Sequence, residues 1–231
     1  VSERFWADIT HFEGNANAFR LLTHRFIGRR EGGFAMTYST LASIVKYPFA
    51  STEAGEHGKF GFFATEEDTF LKIADQLGLR RLSAPDAPAA YARHPLVYLV
   101  EAADDICYEI MDMEDAHKLK VLSFAETRDL LLGFFDERTK DEITARIENE
   151  GISDENEQIV YMRARAINIL ETECVKVFVD NEEAILQGTF SGSLVSHIGE
   201  RTKKAYERCV NVSMRKIYCS KPVLDIELSG Y

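Results

Sequence analysis

The chain has 231 residues, 45% of them apolar, enough to bury a sizeable core in one or two domains. No apolar run approaches the roughly 18 residues of a membrane span, and the first residues, Val1 to Asp8, mix charge with aromatics rather than forming a signal peptide. With 27 basic against 38 acidic side chains the formal charge is −11, which argues against a general nucleic-acid coat, because counterion release needs many Lys and Arg facing phosphate.

Read in chain order, the sequence predicts helices almost throughout. Glu13 to Phe26 is periodic, with Phe19, Leu22 and Phe26 on one side. Thr37 to Tyr47 predicts a short helix that Pro48 ends, since proline cannot continue it and disfavours α at the preceding residue. The stretch 49–63, with Gly55, Gly58 and Gly61, reads as a loop. Thr65 with Asp68 has the spacing of a capping box, opening a helix that closes near Gly78. A proline-marked connector leads to Pro95, placed as a first helical residue. Ser123 with Glu126 suits another capped start, running to about Phe135. Two longer helices follow, roughly Ser153–Val179 and Ser193–Tyr218, split by "DNEEAILQGTFSG". Only Val223–Leu228 alternates as a short strand would. The four cysteines, Cys107, Cys174, Cys209 and Cys219, form no CxxC pair and read as reduced, mostly buried thiols of a cytoplasmic protein.

The helix opened by Pro95 carries Asp104, Tyr108 and Asp112 at i, i+4 and i+8. Four residues advance an α-helix by roughly 400°, so these side chains form one slowly drifting ridge. Beside it, Leu96, Leu99, Ala103, Ile106 and Ile110 are spaced as a core-facing stripe. Carboxylates and a phenol next to a buried stripe need a cation, a donor or a ligand to offset desolvation. Spacing alone favours a solvated acidic edge.

The segment "HPLVYLVEAADDICYEIMDMEDA" closely resembles the helix that completes the active site of dGTP triphosphohydrolases, in the HD-domain family of metal-dependent phosphohydrolases. Three further segments match that family in order: "HFEGNANAFRLLT" at 11–23, "TYSTLASIVKYPFAS" at 37–51 and "GKFGFFATEEDTF" at 58–70. Weaker similarity continues through "YMRARAINILETECVKVFVDN" and "RKIYCSKPVLDIELSGY", so it covers essentially the whole chain. The resemblance implies an all-α, multi-helix HD-domain-like bundle with few or no short strands. Residues 1–135 would be the C-terminal part of an HD-type catalytic domain, and 136–231 a helical region packed on it. In that family two His and two Asp hold the metal, and three of these ligands lie in motifs upstream of the part seen here, as does the His/Glu pair that assists the attacking water. This chain has no His-Asp dipeptide. The resemblance therefore implies an internal or C-terminal piece of a longer enzyme, without catalytic residues of its own and inactive by itself.

Residue by residue, the resemblance makes Asp104 the last metal ligand, a hard oxygen donor suited to manganese or magnesium, with iron as a further candidate. It places Tyr108 against the deoxyribose, where a ring leaves no room for a 2′-hydroxyl, and Asp112 as acceptor from the sugar 3′-hydroxyl. Lys46 and Tyr47 would bind the triphosphate, a lysine point charge suiting that role. Asn15 would lie beside base or phosphate, Lys59 would face phosphates from the glycine loop, and Arg163 would reach phosphate from a later helix. An ordinary helix-surface or loop role competes at each position. The implied substrate is dGTP or another dNTP, cleaved to deoxynucleoside and tripolyphosphate, by a homo-oligomer that is hexameric in relatives. Some relatives bind single-stranded nucleic acid, but no aromatic-basic stripe supports that here. The six histidines match no family ligand and show no H-E-x-x-H spacing, so they read as structural or solvent-facing. The competing reading is a non-catalytic nucleotide-binding or assembly module of the same fold. A weaker one is an HD hydrolase of another phosphate ester, for which the sugar-reading Tyr108 and Asp112 would need a separate explanation.

Overall fold

A computed structural model describes residues 3–28 and 32–230. The helices, in chain order, are α1 (Glu3–Thr10), α2 (Gly14–Thr23), α3 (Tyr38–Ser43), α4 (Glu67–Gln76), α5 (Pro95–Lys118), α6 (Phe124–Leu132), α7 (Glu137–Asn149), α8 (Glu155–Asp180), α9 (Glu182–Leu186), α10 (Glu200–Val212) and α11 (Lys221–Ser229). The described residues contain no strand, only isolated bridges such as Phe49 with Ala90 and Ala50 with Phe62. The architecture is all-α, as the sequence predicts. None of these helices is long and apolar enough to cross a membrane. Two compact units form: residues up to Glu101 together with Asn181–Gly192, and Ala102–Asp180 together with Ser193 onward.

The first unit is built around aromatics. Phe62 stacks on Phe70 with centroids 4.5 Å apart, and Phe19 meets Phe70 edge-on at 6.1 Å. Leu41, Val45 and Ile73 complete this core, and each large side chain so buried contributes about 1.5–3 kcal/mol. The glycine loop is drawn tightly against it. Gly61 donates its N–H to Phe49 at 3.0 Å. A Cβ at Gly61 would collide with the Tyr47 carbonyl and the Val45 side chain, so glycine is required for this approach. In the second unit α6 packs on α8, and Ile110, Met113, Leu131, Phe134, Ile159 and Met162 are fully buried.

Local signals succeeded where nothing competed with them. Ser123 and Glu126 form the reciprocal capping box of α6, and Gly78 adopts the left-handed conformation after α4. The Thr65–Asp68 box does not form. Thr65 Oγ1 accepts instead from Arg20 at 3.1 Å and donates to Glu66 at 2.8 Å, and α4 begins without a side-chain cap. Val223–Leu228 lies inside α11, not in a strand: Lys221 and Asp225 close a helical turn by an i,i+4 ion pair at 2.6 Å. So short a pattern fits either period. The α3 helix stops at Ser43, short of Tyr47, and α6 at Leu132. The helices α1 and α7 went unread; α7 buries only Ile143 and Ile147. Cys107 and Cys219 are exposed, so only Cys174 and Cys209 are the buried thiols expected.

The stripe on α5 also needs correction. Leu96, Leu99 and Ala103 are exposed, while Val97, Tyr98, Glu101, Ala102, Ile106, Glu109, Ile110, Met113 and Glu114 are buried. Three glutamates belong to the buried face, which apolarity alone could not register. Each is satisfied: Glu101 by Lys46 and Arg93, Glu109 by Ser213, and Glu114 by Lys118 and Arg163.

Candidate functional site

The residues picked out from the sequence fall into groups within each unit. In the first, Glu13 stands in extended conformation before α2 and caps it, accepting from the Asn15 and Ala16 N–H groups at 2.5 and 3.0 Å. Its other oxygen accepts from Asn15 Nδ2 at 2.9 Å and Lys59 Nζ at 3.2 Å. Asn15 and Lys59 are thus brought together by a buried carboxylate, Glu13, that the sequence marks only as the start of a periodic stretch.

Lys46 and Tyr47 lie in the turn after α3. Lys46 Nζ is 3.0 Å from Glu101 Oε1 and 6.0 Å from the centroid of the Tyr47 ring. Arg93 Nη1 reaches the other oxygen of Glu101 at 2.8 Å, and its Nε donates to the Lys46 carbonyl at 3.0 Å. A cavity of about 280 Å³ opens among Lys46, Tyr47, Arg93, Tyr98 and Phe190. Neither Arg93 nor Glu101 was anticipated. An acidic residue on an otherwise apolar helix was the available signal, since a buried acid needs cations.

In the second unit Asp104 and Tyr108 are exposed, and Asp112 is half-buried one turn further along α5. The hydroxyl of Tyr218 donates to Asp112, and its ring lies parallel to that of Tyr108, 5.8 Å between centroids and 3° between planes. Burial foremost, then the Asp112 carboxylate, holds the Tyr218 phenol far above its ordinary value. Tyr218 ends a π-helical turn, Ser213–Tyr218, that extends α10. Such turns are frequent at functional sites. Ser213, at its start, donates to buried Glu109 at 2.6 Å, whose carboxyl burial pushes above the usual range. Tyr218 is the residue that sequence reasoning missed here, and "RKIY" was the only signal, within a weakly similar segment. Arg163 sits elsewhere: its Nη1 is 2.5 Å from Glu114, while its Nε is buried without a partner.

Asp104 offers one hard oxygen of the kind that manganese, magnesium or iron accepts. Among the described residues no group of three or more His, Cys, Asp or Glu is arranged to hold a metal ion. A metal at Asp104 would need further ligands from beyond them. Of the histidines, His94 accepts the Leu96 N–H at 3.2 Å at the start of α5, a structural role.

No family model matches the chain. It is 35% identical, over its whole length, to a deoxyguanosinetriphosphate triphosphohydrolase-like protein of Pseudomonas aeruginosa (strain LESB58), of which it covers 52%. A protein of the same name from Synechocystis sp. is also 35% identical, over 97% of this chain and 50% of the relative. The deoxyguanosinetriphosphate triphosphohydrolase of Salmonella paratyphi A is 27% identical over 97% of the chain and 45% of that protein. The chain therefore spans about half the length of the curated relatives it matches.

Proposed function

Because the chain belongs to the deoxyguanosinetriphosphate triphosphohydrolase family, we propose that it forms the sugar- and phosphate-reading side of an enzyme that hydrolyses dGTP, or another deoxynucleoside triphosphate, to deoxynucleoside and tripolyphosphate. The observation that carries this reading is the group Tyr108, Asp112 and Tyr218 beside Asp104. A hydroxyl donating to Asp112 is what a sugar 3′-hydroxyl would do, and the Tyr218 phenol donates to it in the same way. The ring of Tyr108, 57% exposed, offers an apolar surface to a deoxyribose and, as the resemblance implies, no room for a 2′-hydroxyl.

In this proposal Lys46 and Lys59 meet phosphate oxygens as point charges, with Tyr47 and Asn15 beside them. Arg163 is a weaker member, since its guanidinium already serves Glu114. A divalent ion, manganese or magnesium with iron as a further candidate, would be ligated by Asp104 and by groups outside these 231 residues; it would polarise the α-phosphate toward water. A homo-oligomer, hexameric by resemblance, and a cytoplasmic location complete the proposal. The charge of −11 lends no support to a nucleic-acid partner.

A second reading, a nucleotide-binding module without catalysis of its own, fits the same residues. Both readings expect the purified chain to bind dGTP in preference to GTP, with Asp112→Asn weakening dGTP. Equal binding of dGTP and GTP would count against the sugar-reading role. The readings part on turnover. Adding the missing half of a relative in trans and assaying manganese-dependent tripolyphosphate release restores activity if the chain completes an enzyme, and yields none if it is a binding module.

A further inference from the structure

The phosphate-side lysine is held by residues that nothing above assigns to binding. Glu101 is 8% exposed, and its two oxygens are divided between two cations, Oε1 at 3.0 Å from Lys46 Nζ and Oε2 at 2.8 Å from Arg93 Nη1. Arg93 also donates from Nε to the Lys46 carbonyl at 3.0 Å. It therefore grips one residue at both ends, the main chain directly and the ammonium through Glu101. Arg93 is itself seated: its guanidinium carbon stands 5.5 Å over the Tyr98 ring. Tyr98 is fixed in turn by donating its hydroxyl to Phe190 at 3.0 Å and packing edge-on against that ring.

Lys46 and Arg93 place two cations against one carboxylate at the wall of the 280 Å³ cavity. That suits an anionic ligand without burying an uncompensated charge when none is bound. A lysine has four rotatable bonds to order before its ammonium can serve a phosphate, and order supplied in advance is affinity gained.

We propose that Glu101 and Arg93 are positioning residues that hold the Lys46 ammonium at the cavity wall for the polyphosphate tail of the substrate. This rests on the reading of Lys46 as a phosphate contact given under Proposed function. Positioning and simple charge balance predict opposite signs. If Glu101 only offset the cations, Glu101→Gln would raise the local potential and tighten an anion. If it holds Lys46 in place, Glu101→Gln weakens the anion despite the gain in positive charge. Arg93→Lys removes the charge question, because it keeps the cation and loses the second grip.

The test is titration of the 231-residue chain with inorganic tripolyphosphate, without metal, accompanied by nitrogen-15 spectra of the lysine ammonium groups. Loss of a hydrogen bond to a charged group corresponds to about tenfold or more in affinity. Lys46→Ala, Arg93→Lys and Glu101→Gln are each expected to weaken tripolyphosphate about tenfold. In the ligand-free chain, Arg93→Lys is expected to broaden or shift the Lys46 ammonium signal, identified by its disappearance in Lys46→Arg. If Lys46→Ala weakens binding while Arg93→Lys and Glu101→Gln match or exceed the unaltered chain, positioning is overturned and the phosphate reading stands. If Lys46→Ala binds as the unaltered chain does, the phosphate reading fails and takes this proposal with it. A melting curve for each variant checks folding, and Arg93→Lys, which retains charge and most of its volume, remains decisive if Glu101→Gln unfolds.

Discussion

Tyr218→Phe isolates the hydroxyl that now occupies Asp112. The substitution keeps the ring, and with it the parallel stack on Tyr108 at 5.8 Å, and removes only the donor. A hydrogen bond to a charged group contributes about 1.5–3 kcal/mol when well buried. Tyr218 and Asp112 are both half-buried, and solvent screening brings the figure to about 1 kcal/mol. The unfolding free energy of the variant is expected to fall by that ~1 kcal/mol, measured by urea titration. If the phenol and a sugar 3′-hydroxyl compete for Asp112, the interaction lost by the free chain no longer opposes the ligand. The affinity for dGTP then rises about fivefold, the equivalent of ~1 kcal/mol. Dideoxy-GTP, which lacks the 3′-hydroxyl, gains nothing, so the ratio of the two affinities is the diagnostic quantity. Isothermal titration of both nucleotides against both chains measures it. A variant that binds both nucleotides more weakly and by one common factor refutes competition, and makes the phenol a direct ligand contact.

Glu126 is held at about 2, first by the hydrogen bond from Lys216 and then by Ser123. Its contribution is therefore complete above the ordinary 4.5 and is lost as pH falls through about 2. Amide spectra of Ser213–Tyr218 are expected to titrate over that interval, and Glu126→Gln to abolish the transition. Glu109 runs the other way, because burial raises it and the Ser213 hydrogen bond offsets only part. A raised carboxyl favours folding below its unfolded value and loses that advantage as pH rises through the folded one. Glu109→Gln, which still accepts from Ser213, is expected to melt about 2–4 °C higher at alkaline pH, with the difference vanishing in acid. Burial pushes Cys174 up to about 11 and Cys209 up to about 12, while Cys107 and Cys219 are exposed. Titration with a chromogenic disulfide is expected to find two fast thiols in the folded chain and four after denaturation. The chain alone is expected to release no tripolyphosphate from dGTP with manganese, and steady release by the purified polypeptide would contradict this.

Helices were legible where the determining atoms are neighbours in sequence. Ser123 and Glu126 satisfy each other within one turn, and Pro95 opens α5 as its fixed φ allows. Thr65 failed as a cap because Arg20, which lies 45 residues away, took its oxygen. The candidate site is of the second kind nearly throughout. Lys59 meets Glu13 across 46 residues, Arg93 meets the Lys46 carbonyl across 47, and Tyr218 meets Asp112 across 106. Resemblance could nominate Asn15, Lys46, Lys59 and Asp112 singly, but the acid or phenol that holds each of the last three in place lies beyond any local pattern.

The helix α5 shows why its inner face was misread. Periodicity analysis assigns apolar side chains inward, so Leu96, Leu99 and Ala103 were favoured over Glu101 and Glu109. A carboxylate enters a core only with its compensation, and each of these glutamates has its own: two cations at Glu101, a hydroxyl at Glu109, two cations at Glu114. Removing one partner from such a pair leaves a buried charge exposed to its full desolvation cost, about 3–5 kcal/mol. That cost ties the turn bearing Lys46 to Glu101 of α5, while the π-helical turn bearing Tyr218 meets Glu109 through the weaker Ser213 hydrogen bond. The same helix presents Asp104, Tyr108 and Asp112 on its other sides. Within the second unit, α5 thus carries both the residues proposed to read the sugar and, facing inward, the acid that Ser213 of the π-helical turn bonds.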